Sequence, residues 1–292
     1  MSKEITQGSI INNIRSPKYP GVKCYGIIIA ARCDLAQGKI DCVHTVSALT
    51  LSSWLQTIVF QKALSIEIRS QLKIIQKWAQ IEGQDLESLV ELGPDKAILN
   101  VQANPNSTEY AKALCACEHW KQYVQYKTDN VSPNEIATFL NGAGRSTRIS
   151  TLNDLFSGDL TNYCFIPENA YLGNGNKHDG LVADFKDIIP FTFEQITAIQ
   201  RGEYDYLRIL SGVEEERLNQ QFYLETKDDV VEIKYEITSP WIERLMQNFA
   251  FSFIRVGVDT ITKGEGNKLS KQTISANELG LIWNTEDSHG AS

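Results

Sequence analysis

The apolar positions of this chain follow two periods, which separate β-rich from helical stretches. A short strand is predicted over Ser9 to Ile14, and an uninterrupted apolar strand over Tyr25 to Ala31. The alternating stretch Asp41 to Ser47 returns from the polar turn that follows. Continuous apolar runs are typical of strands buried on both faces. The last two strands, joined through Gly38, are predicted to form a hairpin.

From Leu51 the apolar period changes from two to 3.6 residues, which predicts mainly helical structure up to about Ser157. Within this stretch, Ser132-Pro133-Asn134-Glu135 matches a capping box with proline at the first helical position. The short helix that it opens is predicted to end at Gly142.

Strand signals return in the second half of the chain. Apolar runs at Asn162 to Pro167 and at Gly180 to Ile189 predict two strands. Phe222 to Glu225 and Val230 to Ile237 are predicted to pair as a hairpin across the Lys227-Asp228-Asp229 turn. Strands from both ends of the chain are therefore expected to share one sheet.

Two more helices are predicted, one from Phe193 to about Gln220 and one that opens at Ser239-Pro240. The simplest architecture is of the α+β class, a small antiparallel sheet or SH3-like barrel with a long helical insertion and a C-terminal helix. The predicted domains are a discontinuous β-rich core that includes the C-terminal helix, the helical insertion and a tail, at residues 1–50 with 158–260, 51–157 and 261–292, respectively.

Composition restricts the expected partners. The 292 residues carry a formal net charge of −8, so the average surface field repels phosphate backbones and nucleic acid is not an expected partner. No window approaches the roughly 18 apolar residues that a membrane helix requires, and the N-terminus lacks the pattern of a secretory signal. We therefore expect a cytoplasmic protein that does not associate with membranes, with its six cysteines reduced.

Cys33 and Asp34 follow the apolar strand at the start of the polar turn, and His44 lies on the strand that returns. A thiol activated by an imidazole is a nucleophile, so these three residues are a candidate catalytic set for a Cys-dependent hydrolase. The alternative is structural, with Cys33 a small buried side chain, Asp34 capping the turn and His44 facing solvent. The structural alternative is favoured, because Cys-His catalysis also needs an orienting third group that the sequence does not identify.

Two predicted strands carry an acid-x-Lys pattern, Asp184-Phe185-Lys186 and Glu232-Ile233-Lys234. An acid and a lysine two residues apart on a strand project from one face, which is how metal-dependent nucleases hold a divalent cation and stabilise a leaving phosphate. The second pattern resembles that of restriction-type nucleases, with Glu225 as a further acid, but the expected Pro-Asp element is missing. Catalysis by Glu225, Glu232 and Lys234 is one hypothesis, and alternating charges on an exposed strand face are the other.

Cys115-Ala116-Cys117-Glu118-His119 contains good zinc ligands. On a helix, Cys115 and Cys117 point about 200° apart, whereas Cys115 and His119 share a face. Two ligands do not close a tetrahedral site, and the sequence has no second pair with zinc spacing. We therefore predict neither a metal nor a cofactor.

Two segments resemble an uncharacterised bacterial family found in prophages and mobile defence regions. One is the apolar strand followed by Cys33-Asp34-Leu35-Ala36 and Lys39, with a strand that leads to Leu49, Leu51 and Trp54. The other is Ser239-Pro240-Trp241, which opens a helix ending at Arg255-Val256-Gly257-Val258. This resemblance implies a genomic setting and no particular reaction.

The strand led by Gly8, followed by a long apolar strand, is also similar to the start of the SH3-like barrel of MazF and PemK toxins. We therefore predict a bacterial protein of a mobile anti-phage defence or toxin-like locus, which acts mainly by contact with a partner protein encoded nearby. A metal-dependent nuclease and a Cys-dependent hydrolase are the alternatives, so the sequence leaves open whether the protein is an enzyme.

Overall fold

The computed structural model describes residues 5–38, 40–128, 130–173, 179–204 and 221–254. Contacts between residues divide the chain into two compact units. Unit 1 comprises residues 1–54 and 152–292, and unit 2 comprises residues 55–151. The sequence-based boundaries lie at residues 50/51 and 157/158.

Some sequence-based predictions concern residues outside these described ranges. They are the tail at 261–292, residues 255–258 of the family resemblance, Lys39, and residues 205–220 of the helix predicted from Phe193 to about Gln220.

The described residues of unit 1 form a seven-stranded antiparallel sheet that curls into half a barrel, with helices around it. The predicted α+β class with a barrel-like antiparallel sheet is therefore confirmed. The strands are β1 (Ser9–Ile14), β2 (Cys24–Ile28), β3 (Cys42–Thr50), β4 (Tyr163–Ile166), β5 (Tyr171–Gly173), β6 (Leu181–Thr192) and β7 (Ile233–Ile237). Their order across the sheet is β4-β6-β3-β2-β1-β7-β5.

The helices are α1 (Arg32–Gln37), α2 (Leu51–Trp54), α3 (Phe60–Ile81), α4 (Leu86–Leu92), α5 (Pro94–Gln102), α6 (Tyr110–Thr128), α7 (Pro133–Asn141), α8 (Arg145–Ser157), α9 (Phe193–Gln200) and α10 (Trp241–Ile254). A π-helical turn, Leu55–Val59, joins α2 to α3, and a 3-10 turn covers Glu168–Ala170. In the ranges that the structure describes, no helix combines the length and apolar character needed to cross a bilayer.

The core of unit 1 lies between one face of the sheet and α10. Ile242 and Leu245 of α10 are buried in the same apolar cluster as Ile10, Ile27 and other strand residues. Since burial removes apolar surface from water, this cluster is a main source of the stability of unit 1.

The first predicted hairpin is confirmed, because β2 and β3 pair antiparallel with Ile28 opposite Thr45. Their connection contains the short helix α1 instead of a simple polar turn. Gly38 ends α1 in the left-handed conformation, with φ at 59°, and its N–H bonds to the carbonyl oxygens of Asp34 and Leu35. Glycine adopts this conformation without the steric cost of a Cβ atom.

The second predicted hairpin is wrong. β7 pairs with β1, where Tyr235 faces Ile10, and with β5, where Ile237 faces Tyr171. Phe222 bridges to Ile14, at the end of β1. Phe222 and β7 therefore lie one after the other alongside β1, instead of side by side. This arrangement buries the alternating apolar residues of β7 in the core.

Unit 2 consists of helices α3 to α7 with the first half of α8. Trp78 of α3 and Cys117 of α6 are fully buried in its apolar core. The predicted capping box is confirmed, since the Ser132 hydroxyl accepts a hydrogen bond from the N–H of Glu135 and the Glu135 carboxylate accepts one from the N–H of Ser132. Helix α7 ends at Gly142, as predicted.

Candidate functional site

Two buried carboxylates lie on β6, where this strand bulges away from β3. Val46 of β3 faces Ile188, but the next residue, Ser47, faces Asp184, so residues 185–187 have no partners on β3. Such a bulge breaks the alternation of side chains between the two faces of a strand. As a result, Asp184 and Asp187 are both buried, at 2% and 9% exposure.

Asp184 accepts hydrogen bonds from two parts of the chain, residues 18–19 and its own strand β6. The Lys18 ammonium and the Tyr19 hydroxyl both donate to its Oδ2 atom. The N–H of Lys186 donates to Oδ1 at 3.0 Å. The Lys18 Nζ atom also lies 5.5 Å from the centre of the Tyr19 ring and 5.8 Å from that of Tyr163. A buried charge needs such partners to offset its loss of hydration.

Asp187 is held by two hydroxyls. Ser16 Oγ and Ser47 Oγ each donate to its Oδ2 atom at 2.5 Å. The Ser16 hydroxyl in turn accepts a hydrogen bond from the N–H of Lys18 at 3.0 Å. We call Ser16, Lys18, Tyr19, Ser47, Asp184 and Asp187 the carboxylate cluster. Because three of its members lie between β1 and β2, the cluster fastens that connection to the sheet.

The ionisable donors of the carboxylate cluster hold their protons. Partial burial lowers the pKa of Lys18, but the hydrogen bond and charge of Asp184 outweigh this effect and raise it. Burial, followed by the bond to Asp184, raises the pKa of Tyr19. Burial also raises the pKa of the neighbouring Cys24 thiol to about 12, with a further contribution from the charge of Asp187. At neutral pH these groups are therefore donors and not nucleophiles.

The structure does not assemble the predicted set of Cys33, Asp34 and His44. Cys33 and Asp34 lie in the first turn of α1, with Cys33 Sγ 3.6 Å from Asp34 Oδ1. His44 is exposed on β3, opposite Pro190 of β6, and within the described chain no hydrogen bond or ion pair joins it to the other two. The prediction that Cys33 is buried is wrong, because the strand ends at Ile28 and α1 turns this side chain to solvent.

The structure brings together two of the three predicted nuclease residues, Glu232 and Lys234, but not Glu225. Lys234 Nζ of β7 is 2.8 Å from Oε1 of Glu232, which directly precedes β7, so the acid and the lysine project to the same side, as their spacing predicts. Glu225 instead accepts a hydrogen bond from the Tyr223 hydroxyl at 2.7 Å. It does not lie across a hairpin from Glu232, because β7 pairs with β1 and β5. In the other acid-x-Lys segment, the bulge buries Asp184 and leaves Lys186 exposed.

The possible metal ligands of the sequence are only partly brought together. Cys115 Sγ lies 3.9 Å from His119 Nδ1 on α6, as expected for residues four apart on a helix. Over the ranges that the structure describes, no group of three or more His, Cys, Asp or Glu side chains converges to hold an ion.

Most of the carboxylate cluster is not among the candidates from the sequence. Asp184 belongs to an acid-x-Lys pattern, but its partners come from the distant residues 16–19. One signal was available: residues 15–23 carry three cations and no acid in a chain with a net charge of −8. Their position beside Asp184 follows from the order of strands in the sheet.

A second tie holds residues 15–23 from their C-terminal end. Lys23 Nζ lies 2.9 Å from Asp229 Oδ1, and Asp229 Oδ2 accepts the N–H groups of Glu225 and Thr226, each at 2.9 Å. Burial opposes ionisation, but these hydrogen bonds outweigh it and lower the pKa of the Asp229 carboxyl to about 2.

We predict that this tie is lost only in strong acid. The pKa of Asp229 lies below its ordinary value of 3.8, so its stabilising contribution is complete above about pH 4 and is lost as the pH falls through about 2. Carboxyl chemical shifts measured by NMR should give the Asp229 midpoint directly. Lys23→Ala should raise this midpoint towards 3.8, whereas Arg32→Ala should not. An unchanged midpoint in Lys23→Ala would contradict the prediction.

Comparison of the chain with protein-family models, curated proteins and solved structures finds no significant match.

Proposed function

We propose that unit 1 binds an acidic surface of a partner protein through residues 15–23, which we call the basic loop. The observation that supports this best is that Asp184 and Asp187 fasten the loop from inside while Arg15 of the loop and Lys186 of the adjacent bulge stay exposed. Binding residues are commonly carried by loops on a rigid scaffold. A loop that is already ordered loses less entropy when a partner binds.

The charge of the basic loop suits an acidic partner. Arg15, Lys18 and Lys23 are its cations, and Lys186 is exposed in the adjacent bulge. Lys18 and Lys23 are already paired with Asp184 and Asp229.

Arg15 and Lys186 are the cations left to bind a partner. In the described part of the chain neither has an acidic partner, and the Arg15 guanidinium lies 5.4 Å from the centre of the Tyr223 ring. Ser16 and Asp187, which follow them in the chain, are hydrogen-bonded to each other. Both cations therefore border the carboxylate cluster.

The protonation of the cluster favours recognition over catalysis. Nucleophilic catalysis requires a lowered pKa or a neighbouring base, whereas the pKa values of Tyr19 and Cys24 are both raised. Asp184 uses its oxygens to accept three hydrogen bonds from the protein itself. These contacts stabilise the basic loop and leave its exposed cations to make the recognition.

The setting in which this recognition acts is also part of the proposal. The family resemblance suggests a mobile anti-phage defence or toxin-like locus in a bacterium. We place the partner among the proteins encoded nearby, and the net charge of −8 makes the average surface field unfavourable for a nucleic acid.

The proposal predicts a charge-dependent interaction that one double variant removes. The full chain should bind a protein encoded beside its own gene, and Arg15→Ala with Lys186→Ala should weaken that binding at least about tenfold, because close interfacial charge pairs contribute about 1.5 kcal/mol or more. Arg32→Ala, which removes an exposed cation of α1, is the matched control and should bind normally. Dissociation constants can be measured by calorimetry at two salt concentrations.

Two results would overturn this function. One is that no product of the neighbouring genes binds the full chain at low salt. The other is that a single-stranded RNA oligonucleotide binds in fluorescence anisotropy, and that the double variant abolishes this binding, because the basic loop would then be a nucleic-acid surface.

A further inference from the structure

We propose that Cys115 and His119 of α6 form half of a zinc site, which is completed when two copies of the chain share one ion. Both side chains are exposed on the same face of the helix, and Cys115 Sγ lies 3.9 Å from His119 Nδ1. Thiolate and imidazole are the ligands that zinc prefers in structural sites.

The separation of the two atoms is close to what zinc requires. With a Zn–S distance of about 2.3 Å and a Zn–N distance of about 2.0 to 2.1 Å, tetrahedral geometry places sulfur and nitrogen roughly 3.6 Å apart. The observed 3.9 Å differs from this by only a small side-chain rotation. The helix therefore presents both ligands nearly in position.

The His119 ring has an aromatic neighbour on the same helix. The His119 ring stacks on that of Tyr123, with 6.0 Å between the centres and 12° between the planes, and Tyr123 is itself buried. In the neutral tautomer with its proton on Nε2, the Nδ1 atom that faces the thiol has a free lone pair for a metal.

The nearby Cys117 does not compete for the ion. It is fully buried in the core of unit 2, packed among the apolar residues of that core. An ion at the surface cannot reach a side chain that is closed off from solvent. Cys115 is thus the thiol of α6 that can reach an external ion.

The number of ligands indicates a second copy of the chain. Structural zinc sites are almost always four-coordinate, and in the described ranges no third His, Cys, Asp or Glu joins this pair. Two copies related by a two-fold axis would supply two cysteines and two histidines, which is a common zinc ligand set. One turn before Cys115, the exposed Ala111 has a small side chain that allows a second helix to approach.

The test uses the full chain under reducing conditions, with zinc added or removed by a chelator. Calorimetry should give one zinc ion per two chains, and light scattering should show that the mass doubles with zinc. Cobalt in place of zinc should give the absorption bands of a tetrahedral, thiolate-bound ion. Cys115→Ser and His119→Ala should each abolish these effects, while Cys33→Ser, which changes another exposed thiol, should leave them intact.

The far-ultraviolet circular dichroism of each variant should match that of the unchanged chain, because both ligands are on the surface. Unchanged zinc binding by Cys115→Ser would overturn the proposal. So would one zinc ion per chain without a change of mass, or no binding of zinc at micromolar concentrations.

Discussion

Asp184→Ala is expected to lower the free energy of unfolding of unit 1 by about 3 kcal/mol. This carboxylate is 2% exposed and accepts hydrogen bonds from Lys18, Tyr19 and the N–H of Lys186. Its removal leaves the buried Tyr19 hydroxyl without this acceptor and loosens the basic loop, which then depends on the Ser16–Asp187 bond for its attachment to β6. Urea denaturation would measure the loss, and hydrogen exchange of the β3 and β6 amides would assign it to unit 1.

Asp34→Ala is the matched control for this experiment. Asp34 is only partly buried, and its described side-chain contact is with the Cys33 thiol, so its loss should change stability by less than about 0.5 kcal/mol. Limited proteolysis should cut the basic loop faster in Asp184→Ala than in Asp34→Ala. Equal stabilities of the two variants would show that the carboxylate cluster does not hold the loop.

Phe185→Ala is expected to cost about 3 to 5 kcal/mol, because a large buried ring is removed from a packed core. Phe185 is 1% exposed and meets the Phe249 ring edge-on, with 5.6 Å between the centres. It also lies in the bulge, directly after Asp184. The variant should therefore loosen the carboxylate cluster as well as the core.

Phe251→Ala is the comparison, since this ring is 63% exposed and its loss creates no cavity. The free energy of unfolding of this variant should stay within about 0.5 kcal/mol of that of the unchanged chain. If Phe185→Ala affected stability as little as Phe251→Ala, the contact of Phe185 with α10 would not stabilise the fold.

Local structure was well predicted from the sequence where neighbouring residues decide it. β1 covers Ser9–Ile14 in both the prediction and the structure, because turn residues bound its apolar run. The capping box at Ser132 and Glu135 is also a matter of residues three apart. These features need no information from distant parts of the chain.

Predictions that depend on distant partners did less well. The hairpin predicted to bring Glu225 opposite Glu232 is wrong, because β7 pairs with β1 and β5 instead of with the adjacent segment. Cys33 is exposed because the chain turns into α1 before it reaches this residue. In both cases a local pattern fits two structures, and packing selects one of them.

The sequence by itself determined the alternation of strands and helices, the α+β class and the acidic character of the chain. The three cations at residues 15–23 are visible in the sequence as a local exception in charge, but their role was not predicted from it. Only the tertiary structure placed this loop over Asp184 and Asp187, because the bulge in β6 turns both carboxylates inward. Residues separated by more than 160 positions meet there, and such contacts are set by the register of β3 against β6, which no local pattern encodes.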